Sequence, residues 1–393
     1  MKRKVFILII IIFFSFIFIL SIKKENIQSG TRPKNNKPNI TSLNLSIVGD
    51  LLFESPFYSA VEKGYDKNEY FKEVKEVFKN DDLTIGNMEV VIGNESLKVS
   101  GDGYNFCAPS YIGDIVSESG FDVLGTANNH TNDRGLDGIN STIDYFKNKN
   151  IMTVGTYKNE NDRNNFRIVE KKDIKIGFLA YTYGTNIKIK EEYRDLVGLF
   201  KDPDTKEISN EYKEILKKEI TELRSNVDVV IVLMHWGIEF TFNPNEEQKS
   251  LAKYLNELGV DIIIGSHSHS IQPIEEIIGN DKKTLCFYSL GNFTSQDDDI
   301  ARTKKGYETF DNAYQFGLLA TLKITKNNNN IMLEEIKTTP IINYFDQNMS
   351  NFKLLPINEY TKELEESHNR YNLGFTKDFV TDTYEQVISK NYR

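Results

Sequence analysis

The chain holds five histidines, and four of them, His130, His235, His267 and His269, stand at or just past the ends of short apolar runs. The same positions carry Asp50 after "LSIVG", Asn87 and Glu89 in "GNMEVV", Asn128 and Asn129 in "GTANNHTNDRG", and Asn292 in "SLGNF". One such histidine alone reads most simply as a satisfied polar group. Four together, beside carboxylates and carboxamides, read as a metal site. Imidazole, carboxylate and amide oxygen suit zinc, manganese or iron, and the absence of thiolates speaks against a structural zinc site. In "GSHSHS" a two-residue repeat on an extended chain would return His267 and His269 to the same face. Two ions close together would account for so many ligands, and such a pair activates a bridging water.

Other residues carry two readings each. Asp133 in "NNHTND" either orients His130 or caps the helix that follows. Glu239 in "HWGIE" either supports the ligands or is simply exposed, and Asn292 either serves a tight turn or reaches the site. Trp236, the only tryptophan, reads as packing beside the site. Cys107 and Cys286 sit in separate apolar contexts and read as two free buried thiols.

The elements that must position these groups alternate along the chain. Apolar runs at 43–49, 82–86, 121–125, 174–182, 227–234, 260–265 and 285–290 read as strands, with amphipathic helices at 68–80, 138–150, 206–225 and 245–259 between them. That alternation predicts an α/β domain with a largely parallel sheet, whose ligands bind at the carboxyl ends of its strands. After residue 311 two strands flank an Asn turn at 327–330, so a second, antiparallel sheet is expected to pack on the first. The organisation expected is a membrane anchor at 1–24, a polar linker at 25–42, the main domain at 43–345 and a tail of charged helices at 346–393.

The anchor is read from the apolar run Val5–Ile22, which as a helix spans roughly 27 Å. Lys2, Arg3 and Lys4 precede it, Lys23 and Lys24 follow it, and no small-x-small cleavage site comes after. The expected localisation is the cell membrane, crossed once, with the main domain outside. The formal net charge is −9, to which the first 24 residues contribute +5, leaving −14 for the rest. So acidic a domain is a poor partner for nucleic acid.

The set "SIVGD", "GNMEVV", "TANNHTNDRG", "HWGIEF", "GSHSHSIQPIE" and "YSLGNF" resembles the CapA-type poly-γ-glutamate capsule proteins, a branch of the calcineurin-like metallophosphatase superfamily, over roughly residues 44–300. The resemblance implies a four-layer α/β/β/α sandwich with a dinuclear centre. It places Asp50 and His269 on one ion and Asn129, His235 and His267 on the other. Glu89 matches the bridging acidic position, with Asn87 as the alternative, and His130 matches the histidine that meets the scissile group or protonates the leaving group. Two positions depart from the phosphatase pattern: Leu52 stands where a histidine would be, and Asn87 where an aspartate would be. Fewer ligands mean weaker binding, of two ions or of one.

Three functions are compatible with these residues. The resemblance implies synthesis, export or attachment of an anionic capsule polymer such as poly-γ-glutamate, alongside other membrane proteins of capsule synthesis. The ligand set implies a metal-dependent hydrolase of envelope phosphoesters or amides. The departures are compatible with a non-catalytic scaffold that keeps the fold.

Overall fold

The computed structural model describes residues 40–102, 105–279, 282–296 and 312–393, and these belong to one compact unit running from Ile40 to Arg393. The first part of that unit supplies β1 (Ile40–Leu51), β2 (Leu83–Met88), β3 (Val91–Ile92), β4 (Ser100–Asp102), β5 (Asn105–Ala108), β6 (Val123–Gly125), β7 (Met152–Val154), β8 (Arg167–Lys171) and β9 (Ile174–Thr182). The remainder supplies β10 (Val229–His235), β11 (Ile262–Ser266), β12 (Ile274–Ile278), β13 (Lys283–Phe287), β14 (Asn292–Thr294), β15 (Phe316–Asn327), β16 (Asn330–Phe345) and β17 (Phe352–Pro356). Helices of eight residues or more are α1 (Ser55–Glu62), α2 (Lys72–Asn80), α3 (Ser110–Ser119), α4 (Gly135–Asn148), α5 (Asn210–Arg224), α6 (Glu246–Glu257) and α7 (Lys377–Val387).

The fold is mixed α/β. One large sheet has the order β17-β16-β15-β1-β2-β6-β7, with β14 also paired to β1; the other has the order β12-β13-β11-β10-β9-β8. A small third sheet has the order β3-β5-β4. The antiparallel strands do not form a sheet of their own, as their composition had suggested. β15 instead pairs directly with β1 from Ile40↔Asn327 to Val48↔Leu319, which fuses them to the parallel strands. This pairing also draws Ile40, Thr41 and Ser42, in the segment read as linker, into β1.

Alternation along buried strands builds the layers. On β10, Val229, Ile231 and Leu233 join Leu45, Ile47 and Ile85 of the other sheet in one apolar cluster. Val230, Val232 and Met234 face the opposite way and meet Leu216, Ile220 and Leu223 of α5 and Leu251 and Leu255 of α6. The outer face of the first sheet meets α1 to α4 through Val48, Phe57, Val74, Phe78, Ile112, Val116 and Phe146. Caps set the helix starts: Ser209 accepts from the Tyr212 amide ahead of α5, and Asn245 forms a capping box with Gln248 ahead of α6. Beyond its helices, the 346–393 segment adds β17 to the first sheet and sends Tyr360, Phe375, Val380 and Tyr384 into the core shared by both sheets.

The expectation of a single-pass membrane protein with an outward-facing domain is corrected here. Among the described residues no helix is long and apolar enough to cross a membrane. The longest, α5, has 15 residues and presents a charged face, whereas a span takes about 20 apolar residues. The apolar run at 5–22 lies outside the described residues, as does 25–39.

Candidate metal centre

Strand register lines up the first half of the site. β14, β1 and β2 place Asn292, Asp50 and Asn87 side by side, and the next strand, β6, sets Gly125 opposite Asn87. In the other sheet, His235 ends β10 opposite Ser266 at the end of β11. The carboxyl ends of both parallel sets therefore meet, as expected for open α/β sheets.

The side chains converge across this seam. Asp50 Oδ1 accepts from Asn87 Nδ2 at 2.7 Å and Oδ2 from the His267 amide at 3.1 Å. Glu89, fully buried, has Oε1 at 3.4 Å from His235 Nε2 and 3.9 Å from His269 Nε2. Asn129 Oδ1 lies 2.8 Å from His235 Nε2, while Ser266 Oγ lies 2.9 Å from His235 Nδ1. Asn292 donates through Nδ2 to the Tyr314 carbonyl, so its Oδ1 accepts from His269 Nδ1 at 2.9 Å and leaves His269 Nε2 free to face Glu89.

The histidine pair reaches the site differently from the reading by strand alternation. β11 ends at Ser266, and both His267 (φ 90°) and His269 (φ 51°) adopt left-handed backbone, which only a few per cent of non-glycine residues occupy. A tight turn, not an extended chain, brings their ring centroids to 6.1 Å from one another. Gly265 makes the turn possible by packing its backbone against Tyr288: a Cβ there would lie 1.9 Å from the Tyr288 carbonyl oxygen.

His130 stands beside this cluster. Its Nδ1 donates to Asp133 Oδ2 at 2.8 Å, the ring packs edge-on against Phe106, and Asn186 Nδ2 lies 3.5 Å from its Nε2. Asp133 also accepts from the Phe106 amide, and its contacts are those of a group orienting His130 and not of a cap on α4. Asn128 braces the same loop, accepting from the His130 amide and donating to the Met88 carbonyl. Glu239 is partly exposed beside the histidine turn, and Trp236 is buried in the core behind β10, donating to the Tyr288 carbonyl. Leu52 points into the helix-covered core, away from the site. Cys107 and Cys286 are free and buried. The fifth histidine, His368, lies against Tyr344, Phe345 and Phe375, apart from the site.

Residues outside the sequence-derived set also line the site. The Tyr183 ring lies 4.7 Å from that of His267, and Tyr314 lies 5.3 Å from His269. Tyr183 and Asn186 follow the carboxyl end of β9, beside the end of β10 that carries His235, and that position was the available signal.

Burial dominates the electrostatics. It pushes Glu89 well above the ordinary carboxylate range, with the Asp50 carboxyl beside it adding to the rise, and it raises Asp50 despite His269 and the Asn87 amide. Burial and neighbouring imidazoles hold His235 and His267 well below the usual histidine range. Among the described residues no lysine or arginine pairs with Asp50, Glu89, Asp133 or Glu239. Both Glu89 oxygens and His267 Nδ1 are buried without a hydrogen-bond partner. Neutral His235 and His267 around buried carboxyl groups without a cationic partner are the donor set a divalent cation requires, and the residues present fit one. Three groups could hold an ion: Glu89, His235 and His267; Asp50, Glu89 and His269; and Glu239, His267 and His269, each with ligand atoms within 4.8 Å of one another.

Residues 44–297 match the family described as Bacterial capsule synthesis protein PGA_cap. The chain belongs to this family. It is 30% identical over 298 residues to the PGA biosynthesis protein CapA of Bacillus subtilis, covering 74% of this chain and 72% of that one. It is also 30% identical over 272 residues to the capsule biosynthesis protein CapA of Bacillus anthracis, covering 67% of this chain and 62% of that one. Among solved structures, a phosphatase from Mycoplasma pneumoniae aligns at a TM-score of 0.45 and 15% identity over 77% of this chain and 94% of its own. The case for a metal centre in this PGA_cap member rests on its own side chains.

Proposed function

We propose that this PGA_cap member acts in the synthesis, export or attachment of an anionic capsule polymer such as poly-γ-glutamate, with a divalent metal centre at the seam of its two sheets. Asp50, Glu89, Asn129, His235, His267 and His269 are the residues that would hold the metal, as two ions or as one. The three apolar clusters support reading the fold as a four-layer α/β/β/α sandwich, domain 43–345 with 346–393 packed on it. The observation that carries the metal reading is Glu89: a carboxylate with no hydrogen-bond partner belongs to two of the candidate ligand groups.

Bound divalent ions supply Lewis acidity and a water of lowered pKa. The chain's own contribution is orientation. Asn292 aims His269, Asn87 holds Asp50, and Asp133 keeps the proton of His130 on Nδ1, so that Nε2 is available to a reacting group. That last arrangement favours a second reading, a metal-dependent hydrolase of an envelope phosphoester or amide. Other capsule-synthesis proteins are the expected partners.

Metal analysis of the full-length chain tests the centre: Mn²⁺ or Zn²⁺ should be retained by the wild type and lost by His267→Ala. Removing the gene from its host should lower capsule polymer, and restoring it with His235→Ala should not recover the amount. A metal-free wild type overturns the centre, and unchanged polymer in the deletion strain overturns the capsule role.

A further inference from the structure

Solvent access across the candidate centre is graded. Asp50 and Glu89 are 0% exposed and His235 1%, His267 and His269 are 5% and 6%, and Glu239 opens to solvent. The histidine pair belongs to both ends of this gradient. His267 forms one buried group with Glu89 and His235, His269 forms another with Asp50 and Glu89, and the two histidines together form the third group with Glu239. An ion held by Glu239, His267 and His269 therefore keeps one of its two imidazoles whichever buried group it moves to.

The loop that carries Glu239 is fixed against the histidine turn. Phe240 donates its amide to the Ser268 carbonyl, between the two histidines, at 2.7 Å. The Thr241 carbonyl accepts from Gln272 Nε2 at 2.9 Å and from Ser270 Oγ at 3.2 Å. On the other side Gly237 (φ 94°) packs on Gln248 so closely that an added Cβ would lie 2.7 Å from its Oε1. Glu239 is thus a solvated carboxylate on a braced loop, able to trade water for an ion and release it again. Glu89, buried beside the Asp50 carboxyl, gains far more from the same ion, so the direction of transfer is inward.

We infer that Glu239, His267 and His269 form the entry position for divalent cations, an outer and transient site that takes the ion from solvent and passes it to the buried groups around Glu89. This rests on the metal centre proposed above. The test is stopped-flow mixing of the metal-stripped full-length chain with Zn²⁺ and a fluorescent zinc indicator, with equilibrium competition against the same indicator. Glu239→Gln should slow uptake on the order of ten-fold and slow release equally, leaving the affinity within about two-fold, since the way in is also the way out. Glu222→Gln removes the same charge from α5, which leads into the end of β10 remote from His235, and should leave both rates at the wild-type value.

Unchanged uptake by Glu239→Gln overturns the entry position. Slower uptake with an equal loss of affinity also overturns it, because Glu239 then holds a resident ion, and so does equal slowing by Glu222→Gln, because overall charge then sets the rate. These results leave the centre intact. A wild-type chain that takes up no ion overturns the centre itself, and its entry position with it.

Discussion

Glu89 Oε1 stands 3.4 Å from His235 Nε2, a contact between groups carried by two different sheets. The carboxylate closes the seam from one side and the imidazole from the other, and the Asp50 carboxyl lies beside it. Replacing Glu89 by Gln keeps the volume and removes the charge. The variant should lose at least about ten-fold in affinity for divalent metal, while its metal-free form should melt no lower than the metal-free wild type, because an unpaired buried carboxyl is no help to folding. Metal analysis paired with thermal melts in chelator checks both halves, and a variant that melts far lower without metal would show that Glu89 has a packing role instead.

Asn292 sets the tautomer and tilt of His269. Asn292→Leu should leave the ring unaimed and weaken metal binding by about ten- to hundred-fold. Titration with Mn²⁺ reads this directly, with circular dichroism confirming that the sheets persist.

At Gly265 a methyl group has no space, since the obstacle is the Tyr288 backbone just past β13, itself held by its amide bond to the Pro273 carbonyl. Gly265→Ala should cost about 3 kcal/mol or more and displace the histidine turn. Urea unfolding measures the cost, and a loss below about 1 kcal/mol would mean that the two strands separate more easily than their pairing suggests.

His368 offers a pH prediction away from the metal. Burial, with Arg370 nearby, depresses it from 6.5 to about 4. Above pH 6.5 it is neutral in both folded and unfolded chains and contributes no pH dependence. As pH falls from 6.5 towards 4, only the unfolded chain takes up the proton, so stability drops. At pH 4.5 the drop from this residue alone is about 2 to 3 kcal/mol. His368→Gln should show a correspondingly smaller loss between pH 7 and pH 4.5 in urea titrations; an identical loss would place the proton uptake elsewhere.

The site was legible because parallel strands deliver their chemistry at one end. Asp50, Glu89, Asn129, His130, His235, His267 and His269 all follow apolar runs, and the structure brings six of them into contact with His130 standing beside them. What was not legible depends on partners remote in the chain. That β15 would pair with β1 and merge the antiparallel strands into the first sheet follows from nine paired positions, not from composition. The left-handed turn at His267 and His269 depends on the close approach of Gly265 to Tyr288, and nothing local in "GSHSHS" announces it. That Asp133 bonds to the His130 ring and to the Phe106 amide of β5 rather than to the start of α4 depends on a strand distant in sequence.

The row Asn292, Asp50, Asn87 has a temporal side. Asp50 and Asn87 lie 37 residues apart in the chain, but Asn292 belongs to β14, made after every imidazole of the centre. A nascent chain that has emerged only as far as His269 carries all four rings and still lacks the amide that aims the last of them. Long-range pairings of this kind form late, so the newborn protein should acquire its ions only once synthesis is well advanced, and premature metal capture during translation would be loose and exchangeable.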